Sequence, residues 1–146
     1  MGDDTVKIEM SFNAPLEKLW DVWTDPQLIL KWFGSDPDGK GIKATMNVQP
    51  GGSYEISFQD SNGTEHTCTG KYLAVEKPNH LSFTWEWKNE PGVISTVTVS
   101  LSSMNNSTFM IFDHKDLGTA SAHNYLKGWK ETFGKLEKLI TDIDQA

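Results

Sequence analysis

Two proline-marked helix starts directly follow the first predicted strand, and this order constrains the fold more than any other feature of the chain. Pro15 suits the first turn of a helix, because its missing N–H would have no partner there, and Asn13 is placed to cap that helix. Asp25 and Pro26 then cap and start a second helix, which should end near Gly34. The first helix runs to about residue 23 and carries one apolar stripe, made of Leu16, Leu19, Trp20 and Trp23.

Alternation of apolar and polar residues predicts strands on both sides of these helices. Residues 6–12 alternate as a half-buried strand, and the pattern returns after a loop over residues 34–41. Turns rich in glycine and asparagine separate the later strands, so neighbours in sequence should pair antiparallel. These strands are predicted at 42–48, 54–58, 65–75, 81–87, 93–101 and 110–114.

A long amphipathic helix is predicted over about residues 119–143. Its apolar residues recur at steps of three or four and are Ala122, Tyr125, Trp129, Phe133, Leu136, Ile140 and Ile143. Gly128 and Gly134 interrupt it, either because the helix packs closely on the sheet or because they leave room for a ligand. The predicted fold is therefore α+β: a curved antiparallel sheet of six or seven strands around the C-terminal helix, with two short helices after the first strand.

Aromatic side chains are frequent, with six Trp, seven Phe and three Tyr in 146 residues. The rings predicted to face inward either fill a solid core or line a cavity for an apolar ligand. In the second case Tyr54, Tyr125 and His114 would supply polar contacts, although His114 also fits a hydrogen-bonded structural histidine. The candidate ligand-binding residues are Trp32, Phe33, Tyr54, Phe58, Phe83, Trp85, Trp87, Met110, Phe112, His114, Tyr125, Trp129 and Phe133.

Five segments, in order along nearly the whole chain, resemble the family of homologues of the activator of the heat-shock protein 90 ATPase. This family lies in the START-like, Bet v 1-like (SRPBCC) superfamily, so the resemblance implies a helix-grip fold in a single domain over residues 1–146. The segments are residues 12–34, the Gly-Gly hairpin at 48–54, the strand pair at 70–85, Phe112-Asp-His114 with Leu117, and Gly128-Trp129 with Leu136 and Leu139.

Charge and cysteine content exclude several classes of partner and site. The net charge is −7 and all thirteen cations are Lys, so nucleic acid and anionic membrane surfaces are not expected as partners. Cys68 is the one cysteine, which rules out an internal disulfide and fits a reducing compartment. With no basic leader and no apolar run of membrane-spanning length, we expect a cytoplasmic protein.

No motif in the sequence indicates catalysis, a metal site or a cofactor. His66, His80 and His123 are scattered and no HExxH occurs, so no metal is expected. Cys68 lies mid-strand between threonines and is interpreted as an inert thiol. The alternative is a nucleophile with His66, which shares its strand face, as the base.

An apolar strip is predicted on the outer face of the sheet, where Phe109 and Ile111 should lie near Ile94. Such a strip can mark a dimer contact, so both a monomer and a homodimer stay open.

Three functions are compatible with these features. The leading hypothesis is non-enzymatic binding of a small apolar, aromatic or lipid-like molecule between the sheet and the C-terminal helix. The second, implied by the resemblance, is a contact with a chaperone that stimulates its ATPase. The third is cyclase or hydrolase-like chemistry in the same cavity, for which no acid–base pair is visible in the sequence.

Overall fold

The computed structural model describes residues 5–34, 36–115 and 125–144, and in the last range it leaves out the side chains of Tyr125 and of residues 142–144. The predicted start of the last helix at residue 119, together with Ala122 and His123, lies outside the described residues. In chain order the elements are β1 (Val6–Phe12), α1 (Leu16–Thr24), α2 (Pro26–Ile29), β2 (Lys40–Met46), β3 (Ser53–Gln59), β4 (Glu65–Glu76), β5 (His80–Trp87), β6 (Ile94–Met104), β7 (Ser107–Lys115) and α3 (Tyr125–Asp144).

All seven strands form one antiparallel sheet in the order β1-β7-β6-β5-β4-β3-β2. Strands β2 to β7 pair with their neighbours in sequence, as short turns require. Strand β1 instead pairs with β7, so α1 and α2 carry the chain from one edge of the sheet to the other. The buried side of α3 joins the inner face of the sheet in one apolar core. The predicted α+β helix-grip architecture is confirmed.

The two short helices begin where the prolines predict, but only the second is capped by a side chain. Pro15 is the N-cap residue of α1 and no side chain caps that helix, so the cap predicted for Asn13 was wrong. The Thr108 hydroxyl of β7 donates to the Ala14 carbonyl oxygen at 2.8 Å, which fixes the chain just before α1 by a tertiary contact. Asp25 caps α2 through two backbone N–H groups, as predicted.

Strand register corrects the predicted surroundings of the outer apolar strip. Phe109 pairs with Ser102 and Ile111 with Ser100, because a tight turn joins β6 to β7 at residues 105–106. Ile94 lies six residues before Ser100 in β6, which is about 20 Å at the rise of a strand. The predicted proximity to Ile94 was therefore wrong, and Ile94 is exposed at the other end of the sheet.

Candidate functional site

Apart from Tyr125, the candidate residues lie together inside the molecule, on the inner face of the sheet, on α3 and in the segment that follows α2. Those whose side chains are described are at most 8% exposed. Tyr125 begins α3, and its side chain lies outside the described residues. Burial of this degree is expected both of a solid core and of a closed cavity.

Trp129 of α3 lies at the centre of the cluster of rings. Its ring centroid is 4.5 Å from that of Phe112, 5.2 Å from that of Trp85 and 5.4 Å from that of Phe133. These separations lie within the range in which tilted and edge-to-face rings attract each other. Helix α3 is therefore attached to β5 and β7 through aromatic side chains.

Phe33 connects the cluster to the segment that follows α2. Its ring lies 5.6 Å from that of Trp85, 5.8 Å from that of Phe58 and 6.0 Å from that of Trp129. The next residue, Gly34, has a φ of +111°, and a Cβ there would lie 2.8 Å from the Phe58 ring. Glycine is therefore required where the chain turns away and leaves the Phe33 ring inside.

A small cavity lies beside Phe33, under strands β3 to β5. Its volume is about 10 Å³, close to the space that one water molecule occupies. It is lined by Trp23, Ile29, Phe33, Tyr54, Ile56, Tyr72 and Phe83. A ligand larger than water would need some of these side chains to move.

His114 is neutral and hydrogen-bonded on both sides of its ring. The Trp129 Nε1–H donates to His114 Nδ1 at 2.9 Å, so that nitrogen carries no proton. The proton is then on Nε2, which donates to the Ser95 hydroxyl at 2.7 Å. Burial lowers the pKa of His114 from its ordinary value of 6.5 to about 3. In this arrangement the ring orients Trp129 and cannot act as a charged acid near neutral pH.

Two tryptophans inside the molecule differ from Trp129 in their hydrogen bonding. Within the described residues, neither the Nε1–H of Trp23 nor that of Trp85 has an acceptor. Both side chains are buried, with 1% and 4% of their surface exposed. Buried donors are nearly always paired in folded proteins, so each of these groups calls for an explanation.

The comparisons with known proteins place this geometry in a family. A family model described as Activator of Hsp90 ATPase homolog 1-like protein matches residues 13–141. The chain belongs to this family. No curated protein matches the chain.

Solved bacterial structures share the fold of this chain along nearly its whole length. A protein from Nitrosomonas europaea is 20% identical, with a TM-score of 0.82 and 97% of each chain covered. One from Arthrobacter aurescens is 20% identical with a TM-score of 0.82, covering 95% of this chain and 87% of that chain. One from Mesorhizobium loti is 28% identical with a TM-score of 0.72, covering 94% of this chain and 97% of that chain.

The two residues weighed as a nucleophile and its base have different partners in this family member. The Tyr54 hydroxyl donates to the Thr84 carbonyl oxygen at 2.6 Å, and its oxygen lies 3.5 Å from Cys68 Sγ. Burial raises the pKa of Cys68 above its ordinary value, which keeps it a thiol. His66 is paired instead with Asp60 at 2.8 Å. These contacts support the interpretation of Cys68 as an inert thiol.

The segment after Phe33 is held against both the sheet and α3. The Asp36 carboxylate accepts from the Ser61 backbone N–H at 2.8 Å and from the Ser61 hydroxyl at 2.9 Å, and the backbone bonds are the main cause of its lowered pKa. Lys135 of α3 donates to the Asp36 carbonyl oxygen at 2.9 Å. Burial lowers the pKa of Lys135. These bonds connect the loop between α2 and β2 to the turn between β3 and β4 and to α3.

Sequence reasoning missed several residues of the site, and only one of them left a signal. The buried face of β6 carries Val97, Val99 and Leu101, and Ser95 is the polar residue on the same face. A polar residue in such an apolar pattern indicates a buried hydrogen bond. The contact of Lys135 with Asp36 joins residues 99 positions apart in sequence and follows no local pattern.

Within the described ranges, no three or more His, Cys, Asp or Glu side chains are grouped so that they could hold a metal ion. None of the helices described is long and apolar enough to span a membrane.

Proposed function

We propose that this protein binds a small apolar molecule between the inner face of its sheet and α3, without transforming it. Membership of the family and the aromatic lining of this space support the proposal. Small-molecule sites are mostly apolar, with a few polar groups that fix orientation. Here Tyr54 supplies such a group, because its hydroxyl oxygen can still accept a hydrogen bond while its O–H donates to Thr84. His114 contributes by orienting Trp129, since both of its ring nitrogens are already paired.

The observation that carries the proposal is how the space between helix and sheet is filled. Within the described residues, the backbone of α3 approaches the sheet mainly at β1, which forms one edge. Over the central strands the gap is spanned by side chains, where Trp129 meets Trp85 at 5.2 Å and Phe33 at 6.0 Å. A ligand there would have to displace some of these rings, which requires rotation of side chains and leaves the strand pairs intact.

The polar groups of this space favour binding over catalysis. His114 stays neutral because burial lowers its pKa to about 3, and its Nδ1 already accepts a hydrogen bond. Cys68 stays a thiol because burial raises its pKa, so it lacks the thiolate that a nucleophile needs. An enzyme needs an acid, base or nucleophile poised near its working pH, and neither residue meets that condition.

The affinity that this space can provide is modest. Burial of about 200 Å² of apolar ligand surface contributes roughly 5 kcal/mol before the costs of association. A gain of about 5 kcal/mol corresponds to a Kd of about 0.2 mM even before those costs, and displacing rings from their contacts adds to them. Micromolar binding therefore requires a ligand that buries more apolar surface or a cavity that is already formed.

The proposal can be tested with two methionines that differ in position. Met110 is fully buried on the inner face, whereas Met104 is 51% exposed at the end of β6. In protein labelled with ¹³C at its methionine methyl groups, we expect the neutral probe N-phenyl-1-naphthylamine to shift the Met110 signal saturably. Met104 serves as the internal control, and its signal should not move.

The pattern of shifts decides the outcome. Saturable movement of Met110, with nuclear Overhauser effects between its methyl group and the probe, would locate the probe inside. Movement of Met104 alone, or linear drift of both signals without saturation, would contradict the proposal.

A second function, contact with a chaperone that stimulates its ATPase, is favoured by the description of the family. It requires an outer surface and no ligand inside, and the half-buried Phe109 and Ile111 are the apolar residues available on the outer face of β7. If the protein contacts a chaperone, Phe109→Ala should weaken chaperone binding. If it binds a ligand inside, the same change should leave the binding of the naphthylamine probe unchanged.

A further inference from the structure

Four of the buried indole N–H groups fall into two classes. Trp32 donates to the Val22 carbonyl oxygen at 3.0 Å, and Trp129 donates to His114 at 2.9 Å. Trp23 and Trp85 are equally buried, but no acceptor among the described residues faces their N–H groups. A buried donor without a partner costs free energy, which a ligand with a suitably placed acceptor would recover.

Phe33 neighbours both of these tryptophans. Its ring contacts that of Trp85, with centroids 5.6 Å apart. It also lines the small cavity together with Trp23. If the Phe33 ring moves away, its space joins the cavity, and the combined volume is bordered by both tryptophans.

We propose that the ligand is a cyclic apolar molecule that carries a hydrogen-bond acceptor, such as a ring-bound carbonyl. Its ring takes the place of the Phe33 ring, and its acceptor receives a hydrogen bond from Trp85 or Trp23. This inference rests on the proposed function, because it specifies the class of molecule that the same space takes.

An alternative partner for these donors is an aromatic ring. Trp85 meets Trp87 nearly at right angles, with an interplanar angle of 89° and centroids 5.2 Å apart. An indole N–H that points at a neighbouring ring is partly satisfied without a ligand. In that case an acceptor on the ligand would bring no gain, so the two accounts predict different affinities.

The test compares two probes of nearly the same shape. Acetophenone carries a carbonyl oxygen where α-methylstyrene carries a methylene group, so only the first can accept a hydrogen bond. Both are titrated into the Phe33→Ala variant and the wild-type protein, labelled with ¹⁵N at the tryptophan indoles. The control is Phe109→Ala, which removes the same ring from the outer face of the sheet.

We expect Phe33→Ala to bind both probes more tightly than the wild-type protein or Phe109→Ala does. Its Kd for acetophenone should be about tenfold lower than that for α-methylstyrene, the size expected of one hydrogen bond. Acetophenone alone should move the N–H signal of Trp85 or Trp23 downfield. The tryptophan whose N–H signal moves is then replaced by Phe in the Phe33→Ala background, as Trp85→Phe or Trp23→Phe. This second substitution should abolish the preference for acetophenone.

Two negative results are distinguishable. Equal Kd values for the two probes, with no indole signal moved selectively, would overturn this inference and leave the proposed function standing. Binding of neither probe to the wild-type protein or to Phe33→Ala would overturn both. If the spectrum of Phe33→Ala shows that the variant is unfolded, Phe33→Leu is used in its place. The same two results then overturn this inference alone or both proposals.

Discussion

At the residue scale, the most consequential side chain is His114, because its hydrogen bonds fix both its tautomer and the position of Trp129. The Nδ1 atom accepts from Trp129, so protonation of the ring would break that bond. The histidine therefore links the packing of α3 to pH.

The free energy of unfolding depends on pH because the pKa of His114 is about 3 in the folded protein, whereas its ordinary value is 6.5. Between these values the unfolded chain binds more protons, so stability falls as pH falls through this window, whereas above pH 6.5 the group has no effect. From pH 6.5 to pH 4.5 the loss from His114 should reach about 2.5 kcal/mol. Urea denaturation followed by tryptophan fluorescence measures it.

The matched variant for this prediction is His114→Gln, which keeps hydrogen-bonding groups but does not titrate. Its free energy of unfolding should decline less steeply between pH 6.5 and pH 4.5 than that of the wild-type protein. Parallel curves for the two proteins over this window would show that His114 is not the buried neutral group described above.

At the scale of elements, α3 carries a glycine that its packing does not require. Gly134 is exposed, and a Cβ added there would meet nothing within 4 Å. Neither of the two reasons considered for this glycine, close packing on the sheet or room for a ligand, applies at this position.

Gly134→Ala should therefore raise the free energy of unfolding by about 0.5–1 kcal/mol, because alanine loses less backbone entropy in a helix. Gly63→Ala is the control, since a Cβ there also meets nothing within 4 Å but φ is +94°. This second change should lower stability by about 1 kcal/mol, because the left-handed conformation strains alanine. A loss of stability in Gly134→Ala would show that the helix needs glycine at this position.

The elements themselves were largely predictable, because their patterns are local. Alternation along 81–87 predicted β5 to within one residue of its observed start at His80. The predicted end of β6 at residue 101 was too early, since the strand continues to Met104 and turns tightly at Asn105 with a φ of +58°. The contact that fixes the start of α1 was not predictable, because Thr108 comes from a strand that lies far along the chain.

At the scale of the whole molecule, alternation and helical periodicity predicted which side chains face inward. They could not predict how those side chains fill the space between them. The positions of Phe33, Trp85 and Trp129 result from how α3 lies across the sheet, which no local pattern records. The same limit applies to the unpaired N–H groups of Trp23 and Trp85, since pairing depends on atoms from several elements.

The central claim is that the space between the sheet and α3 holds a small apolar molecule. Native mass spectrometry of the protein purified from its own host, compared with the mass of the denatured chain, tests this claim most directly. We predict a discrete excess mass of one small molecule per chain that disappears on denaturation. Identical masses in the two conditions would contradict the claim and favour the contact with a chaperone.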